Sequence, residues 1–318
     1  MTQTIAVLMG GPSAEAEVSR RSAAEVAGAL KESDFAVALV ELDSTVTETL
    51  LALRPDVVFP ALHGPPGEDG TVQGYLEILG LPYVGSDVHG SAAAMDKALA
   101  KAVFRRVGLP VAEDLVFPSG ADSSAAAETV LEHLGDRVVI KPLAQGSAIG
   151  VTPIANGGDL KAPLEAALAL GDGVLVEPYV LGREITVGVL DLHGEAPEAF
   201  PVIEIRTAQD QWYDYENRYA AGGSEHVIPA PMPEALTASL QQIAREAHVA
   251  LGLRDLSRAD FIVTDSDEIV LLEVNSLPGM TPTSLYPDGA RAVGISFPEL
   301  VARLVKSAAA RAAATLIP

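Results

Sequence analysis

The sequence predicts a mixed α/β (α+β) chain built from three successive units. These are an N-terminal parallel-sheet βαβ unit, a small central α+β unit and a C-terminal unit that is mainly antiparallel sheet. Three observations carry this expectation. Up to about Gly90, short and nearly continuous apolar runs alternate with helical stretches, the pattern of parallel strands covered on both faces. From Val174 onward the chain is rich in strands and includes a hairpin near the C-terminus. The 318 residues are too many for one small core, taking roughly 100–200 residues per domain. Boundaries are drawn at 1–92, 93–173 and 174–318.

The elements follow in order. Strands are expected at Thr4 to Met9, Ala36 to Leu42 and Asp56 to Leu62, with a helix over Glu15 to Leu30 after the first. A single helix over Ser91 to Val107 opens the central unit. It is followed by a short strand at Leu115 to Phe117 and a helix over Ser123 to Leu134. Strands Arg137 to Pro142 and Ile149 to Ile154 then flank a Gly- and Ser-containing turn, Leu143 to Ala148. The last unit contains strands Val174 to Pro178, Glu184 to Leu190, Pro201 to Arg206, Leu256 to Val263 and Ile269 to Asn275. It also has helices over Glu234 to Leu251 and Pro298 to Ala313. Between Thr207 and Pro233 there is no apolar period, yet Trp212, Tyr213, Tyr215 and Tyr219 cluster there, which favours a functional lid.

Composition removes several classes of function. Asp plus Glu outnumber Lys plus Arg by 43 to 21, and a net charge of -22 repels nucleic acid and anionic membrane surfaces. A phosphate-bearing substrate then requires a local gathering of cations. With no cysteine, the chain has no disulfide, zinc-thiolate site or thiol nucleophile. No apolar run approaches the ~20 residues of a membrane helix, and the start reads as a strand rather than a signal core, so the expected location is cytoplasmic.

The strongest local signal is the C-terminal hairpin. Arg258 and Asp260 share one strand face, and so do Glu273 and Asn275. A two-residue turn at Ser266-Asp267 predicts Asp260 opposite Glu273 and Arg258 opposite Asn275, all on one face; a three-residue turn would separate the pairs. Two carboxylates and an amide on otherwise apolar strands suit a hard divalent cation bridging to phosphates, and a solvated sheet face closed by an ion pair is the plainer alternative. Lys141 ends an apolar strand just before the Gly-Ser turn, a place suited to nucleotide phosphates. Lys97 lies on a helix, where a lysine is usually just solvated. His63, at a strand end before a Gly-Pro-rich loop, reads equally as a ligand contact or a structural hydrogen bond. Gly10-Gly11-Pro12-Ser13-Ala14-Glu15 opens a helix where anions are favoured, but it is neither a dinucleotide fingerprint nor a P-loop. Glu15 there reads first as complementing the helix dipole. Gly279, in Leu277 to Ser284, allows close backbone approach.

Five stretches, in order from Ile5 to about Leu304, resemble the D-alanine:D-alanine ligase family of the ATP-grasp superfamily. They are GGPSAEAEVS, ALHGPPGEDGTVQG, the Met95-Asp96-Lys97 helix, KPLAQGSAIG, and SRADF with LLEVNSLPGMTPTSL. The resemblance implies an ATP-grasp fold joining two D-alanine molecules through an acyl-phosphate for peptidoglycan synthesis. It implies ATP between two antiparallel sheets, with Lys97 and Lys141 at its phosphates, Glu177 at the adenine amino group, backbone at Pro178 and Val180, and Glu184 at the ribose. Asp260, Glu273 and Asn275 would hold two Mg2+ ions, with Mn2+ a substitute. Glu15 and His63 would meet the first D-alanine, with Glu15, Ser147 and Tyr219 in one hydrogen-bonded network. Tyr213 and Arg218 would contact substrate from the lid, and Ser284 and the Leu285 amide would hold the second D-alanine carboxylate. Arg258 and the Gly279 N-H would stabilise the oxyanion. A homodimer is also implied.

Departures from the family pattern are Arg218 for a lysine, Ala148 for a second serine, and the Pro65-Pro66 pair; none removes a catalytic group. Tyr219 favours D-alanine over D-lactate as the second substrate, because its hydroxyl completes the network. The rival readings are an ATP-grasp ligase with another second substrate, a non-catalytic nucleotide-binding regulator, and a nicotinamide oxidoreductase.

Overall fold

The computed structural model of the chain describes residues 2–207 and 223–315. Tyr213, Arg218 and Tyr219, with Trp212, lie outside the described residues. The chain runs β1 (Thr4–Met9), α1 (Ala16–Glu32), β2 (Ala36–Glu41), α2 (Val46–Leu53), β3 (Val57–Pro60), α3 (Thr71–Ile78), α4 (Val88–Met95) and α5 (Lys97–Arg106). There follow β4 (Leu115–Phe117), α6 (Ser123–His133), β5 (Val138–Pro142), β6 (Thr152–Ile154), α7 (Lys161–Leu168) and β7 (Val174–Pro178). The last part holds β8 (Arg183–Asp191), β9 (Glu198–Ala199), β10 (Ile203–Thr207), β11 (Ser224–Val227), α8 (Glu234–Ala250), β12 (Asp255–Val263), β13 (Ile269–Asn275), α9 (Leu285–Ala292) and α10 (Phe297–Thr315).

Three sheets result. The first is parallel, ordered β2-β1-β3. β1 and β3 are buried on both faces, as their apolar runs predict, whereas the edge strand β2 buries only Val40 and leaves Ala36 and Leu39 exposed. Ala6, Leu8 and Val58 pack under Leu50 and Leu76, and Ile5, Val7 and Phe59 pack against α1 and α10. Through α10, whose Leu300, Val301, Leu304 and Val305 enter the same core as Val26 and Leu30 of α1, the two ends of the chain share one interior. The second sheet is antiparallel, β4-β7-β5-β6. Val138, Ile140, Val174 and Val176 face α6 and α7, so strand alternation turns Val139, Lys141, Leu175 and Glu177 the other way. The third sheet is ordered β11-β10-β8-β12-β13, with β9 beside β8. Its Ile185, Val187, Phe261, Leu271 and Val274 pack on α8 and on Phe104 of α5. Residues 179–182 link β7 of the second sheet to β8 of the third.

Several expectations need correction. The single helix over 91–107 is two helices, because Asp96 takes an extended conformation and its carboxylate caps α5 by accepting from the N-H groups of Ala98 and Leu99 at 2.9 and 3.0 Å. Such a cap contributes about 1 kcal/mol. The segment 207–233 is not strand-free: β11 pairs with β10. Helices α2, α3, α7 and α9 were not anticipated, being short, eight residues each. β6 starts at Thr152, three residues later than expected.

The turn between β12 and β13 differs from expectation in a way that matters. The Thr264 N-H donates to the Glu268 carbonyl at 3.0 Å, leaving three residues in the loop, with Asp267 left-handed at φ 62°. Taken alone, that length would separate the carboxylates. A β-bulge compensates, since Phe261 pairs with Leu271 while Asp260 pairs with Glu273, so Leu272 is the extra residue. Leu271 therefore faces the core and Glu273 the opposite side, opposite Asp260, and Arg258 still pairs with Asn275.

Candidate active site

The second and third sheets face each other across a cleft that is open to solvent. Lys97, Lys141, Gln145, Glu184, Arg258, Asp260, Glu273 and Leu285 are among its lining residues. Each polar group gets there by strand alternation or by a helix start. Glu184 and Thr186 of β8 stand beside Ile262 and Asp260 of β12, on the face away from α8. Lys97 is the first residue of α5, and its side chain is only 10% exposed. The expectation of a solvated lysine is therefore corrected: Nζ donates to the Gln145 carbonyl at 2.7 Å and lies 3.7 Å from Glu273.

Asp260 is held on every side. Arg258 donates to both of its oxygens, each at 2.8 Å, Thr186 Oγ1 donates at 2.6 Å and Asn275 Nδ2 at 3.1 Å. The parallel pair of N-H groups fixes the guanidinium plane as a single contact could not. Asp260, Glu273 and Asn275 offer hard oxygen donors on one face, a set that suits a divalent cation shared with phosphate oxygens. Among the described residues no cluster of three or more His, Cys, Asp or Glu side chains is grouped to enclose a metal by itself. A cation completing its shell with phosphate and water needs no such cluster.

Glu177 of β7 is buried at 3% exposure, and its carboxylate receives Lys141 on one oxygen and Lys101 on the other, the latter at 2.6 Å. Burial opposes its ionisation, and the two ammonium groups more than offset that, holding the carboxyl below its usual range. Pro178 ends β7, and Val180 lies in the link between the two sheets.

At the mouth of the N-terminal unit, Ser147 donates to Glu15, which is buried at the start of α1. Ser147 and Ala148 both adopt left-handed backbone, at φ 49° and 57°, a conformation costing roughly 1–2 kcal/mol for a residue with a Cβ. Gly64 is left-handed too, and a Cβ there would sit 2.8 Å from Ser13 Oγ and 3.0 Å from Glu15 Oε2. Glu68 accepts from the Gly64 N-H at 2.6 Å. Enclosure by protein and the adjacent Glu15 push its carboxyl up to about 8, so it carries a proton at neutral pH. Gly279 lies between Leu277 and Met280, both anchored in the core, and a Cβ on it would meet Ser284 Oγ at 3.0 Å. Ser284 precedes α9, and its hydroxyl accepts from the Thr281 N-H at 3.1 Å, while Leu285, the first residue of α9, is buried against Ile203.

His63 is buried, with Nε2 3.2 Å from Ser22 Oγ. Burial and then Arg258 lower its pKa to about 4, so the imidazole is neutral in the fold. The unfolded chain binds this proton below about pH 6.5, and the folded one only near pH 4, so the contribution of His63 is lost as pH falls across that window. Glu68 works in the opposite sense, because its raised pKa favours the fold as pH falls from about 8. The expected result is read by difference. Between pH 7 and 4 the unfolding free energy should fall by about 3 kcal/mol more in the natural chain than in His63→Gln, measured in denaturant titrations. Parallel pH profiles would remove the assignment.

Sequence reasoning missed Lys101, Thr186, Ser22 and Glu68 as members of this site. Lys101 stands four residues after Lys97 on one helix face, which was a usable signal. The other three have none outside the tertiary contacts.

Two family models match, D-ala D-ala ligase N-terminus over residues 44–86 and D-ala D-ala ligase C-terminus over residues 103–306. The chain is 43% identical over 304 residues to a D-alanine--D-alanine ligase of Moorella thermoacetica, covering 95% of this chain and 97% of that one. It is 46% identical over 316 residues to one of Paramagnetospirillum magneticum, covering 97% and 99%. Among solved structures, the Bacillus anthracis D-alanine--D-alanine ligase complexed with ATP superposes with a TM-score of 0.84 at 29% identity, covering 99% of this chain and 100% of that one. The Coxiella burnetii D-alanine-D-alanine ligase gives 0.84 at 27%, covering 99% and 96%.

Proposed function

The chain belongs to the D-alanine-D-alanine ligase family, and from that premise we infer that it joins two D-alanine molecules to D-alanyl-D-alanine at the expense of ATP, for peptidoglycan precursors. The observation that carries the reading is the cleft between two antiparallel sheets. Lys97, Lys141 and Arg258 gather there against a global charge of -22, beside the acidic pair Asp260 and Glu273.

ATP lies in the cleft with Lys97 and Lys141 at its phosphates, Glu177 and the backbone of Pro178 and Val180 at adenine, and Glu184 at the ribose. Mg2+ held by Asp260, Glu273 and Asn275 would supply positive charge to the phosphate oxygens. Glu15 and His63 hold the first D-alanine so that its carboxylate attacks the γ-phosphate, giving D-alanyl phosphate and ADP. Ser284 and the Leu285 amide hold the second D-alanine, whose free amine attacks the acyl carbon. Arg258 and the Gly279 N-H take the charge of the tetrahedral oxyanion, and phosphate then leaves. The Ser147 contact to Glu15 closes the Gly-Ser loop over the substrates and keeps water from the acyl-phosphate. Tyr213, Arg218 and Tyr219 belong to the lid in this reading.

Among the described residues no helix is long and apolar enough to cross a membrane. We place the reaction in the cytoplasm, where ATP is supplied, and assign a homodimer on family grounds.

The deciding assay is ATP-dependent phosphate release in Mg2+ with D-alanine, L-alanine, or D-alanine plus D-lactate, with the product weighed by mass spectrometry. Release that requires D-alanine and yields the D,D-dipeptide is expected. A mixed ester product would move the second subsite to D-lactate, and ATP binding without release would leave a silent nucleotide binder.

A further inference from the structure

Beneath the adenine end of the cleft Glu177 joins a buried ion chain whose other members, Lys101, Asp114 and Arg105, this mechanism does not use. Lys101 of α5 is 1% exposed, and its ammonium sits 2.6 Å from Glu177 and 3.2 Å from Asp114, which in turn receives Arg105. Lys141, the other cation on Glu177, lines the cleft and is placed to be drawn toward nucleotide phosphates. Lys101 comes from α5, whose Ala100 and Phe104 pack in the core of the third sheet, and it does not line the cleft. When a nucleotide divides Lys141 between phosphate and carboxylate, Lys101 is the cation that stays with Glu177.

We propose that Lys101 is a positioning residue for base selection, its buried ammonium orienting the Glu177 carboxylate as a fixed acceptor toward the cleft so that ATP is preferred to GTP. An ionised carboxylate has only acceptors. Adenine offers it an exocyclic amino donor, whereas guanine sets a carbonyl oxygen at the same place, and two acceptors repel. Without Lys101, burial favours a protonated or turned Glu177, which can donate to that carbonyl, and the two bases become less distinct. Asp114 and Arg105 fix Lys101 in turn: the ammonium stands between two buried anions, and burial draws its pKa down against the pull of Glu177. This inference rests on the reading of Glu177 as the adenine contact.

The test measures phosphate release from ATP and from GTP, with D-alanine saturating, for the full chain and for Lys101→Gln, Lys101→Arg, Asp114→Asn and Glu177→Gln. Lys101→Gln keeps a donor toward Glu177 but removes the charge. Its KM for ATP should rise by about tenfold or more, the scale of a lost charge-assisted hydrogen bond. The ATP-to-GTP ratio of kcat/KM should fall by a similar factor, while kcat and the KM for D-alanine stay within about threefold. Lys101→Arg should restore most of the ratio. Asp114→Asn should shift it in the same direction by less, and it carries the test if Lys101→Gln does not fold. A ratio unchanged in Lys101→Gln, or in Asp114→Asn where that variant stands in, but lowered in Glu177→Gln overturns the role of Lys101 alone. A ratio unchanged in Glu177→Gln as well overturns the adenine contact beneath it. Equal losses for ATP, GTP and D-alanine would reduce Lys101 to a packing role.

Discussion

Arg258→Met is expected to lower kcat by about 10³-fold while the KM for ATP moves by less than about threefold, since the loss falls on charge that develops only in the transition state. The structure places the guanidinium in a fixed plane, with Nε and Nη2 each 2.8 Å from an oxygen of Asp260, itself held by Thr186 and Asn275. In the proposed mechanism the guanidinium so held takes the charge of the oxyanion. Arg258→Lys is therefore not conservative. One ammonium cannot span both oxygens of Asp260, and a loss of at least about 10²-fold is expected. Single-turnover ADP formation, followed beside phosphate release, separates the two steps, because ADP forms with the acyl-phosphate and phosphate leaves only with the dipeptide. If acyl-phosphate formation keeps its rate while dipeptide formation collapses, Arg258 acts in the second step, and a kcat loss under tenfold in both variants would sink the assignment.

Asp255→Ala should be the most damaging change to stability. Asp255 begins β12 in left-handed backbone, at φ 63°, and is fully buried. Its Oδ1 accepts from Ser307 Oγ and Arg311 Nη1, and its Oδ2 from the Gly85 N-H and Arg311 Nη2, all at 2.8 Å. Arg311 also reaches the Tyr83 carbonyl at 3.0 Å. One carboxylate thus joins the end of the N-terminal sheet unit, the last helix and the strand that carries Arg258 and Asp260. Its removal leaves a partly buried guanidinium without its anion, which costs about 3–5 kcal/mol. For a chain of this length the unfolding midpoint should fall by roughly 5–7 °C in a calorimetric scan. A fall of less than about 3 °C would mean that the three segments are held by their apolar core alone. Weakened ATP and D-alanine binding are both expected in this variant, because the segment that it loosens positions both sides of the site.

Much of this protein is determined locally and can be read residue by residue. The apolar runs at Thr4 to Met9 and Val57 to Pro60 can form only strands buried on both sides, and Lys141 at the end of Val138-Val139-Ile140 follows from strand length. Arg258, Asp260, Glu273 and Asn275 share a face by the two-residue period of a strand, and their grouping was legible before any contact was known. Their register was legible only by coincidence. The turn is one residue longer than expected, and the bulge at Leu272 restores the pairing. A bulge has no local signature here. It is set by Leu271 having to enter the core on α8 while Glu273 must not, a requirement created by the third sheet as a whole.

The same division holds elsewhere. Lys97 and Lys101 are both lysines on one amphipathic helix, and nothing in their neighbours marks one as cleft-lining and the other as buried under Glu177, 76 positions away. Asp255 reads as an ordinary polar residue before a strand until Arg311 and Gly85 arrive from 56 and 170 positions away. Periodicity and capping act over a few residues, so the sequence by itself determined the elements, their order and the faces they present. Desolvation and ion pairing depend on which distant groups enclose a side chain, so only the tertiary structure decided which charges are buried, which stay protonated and which of them hold the site together.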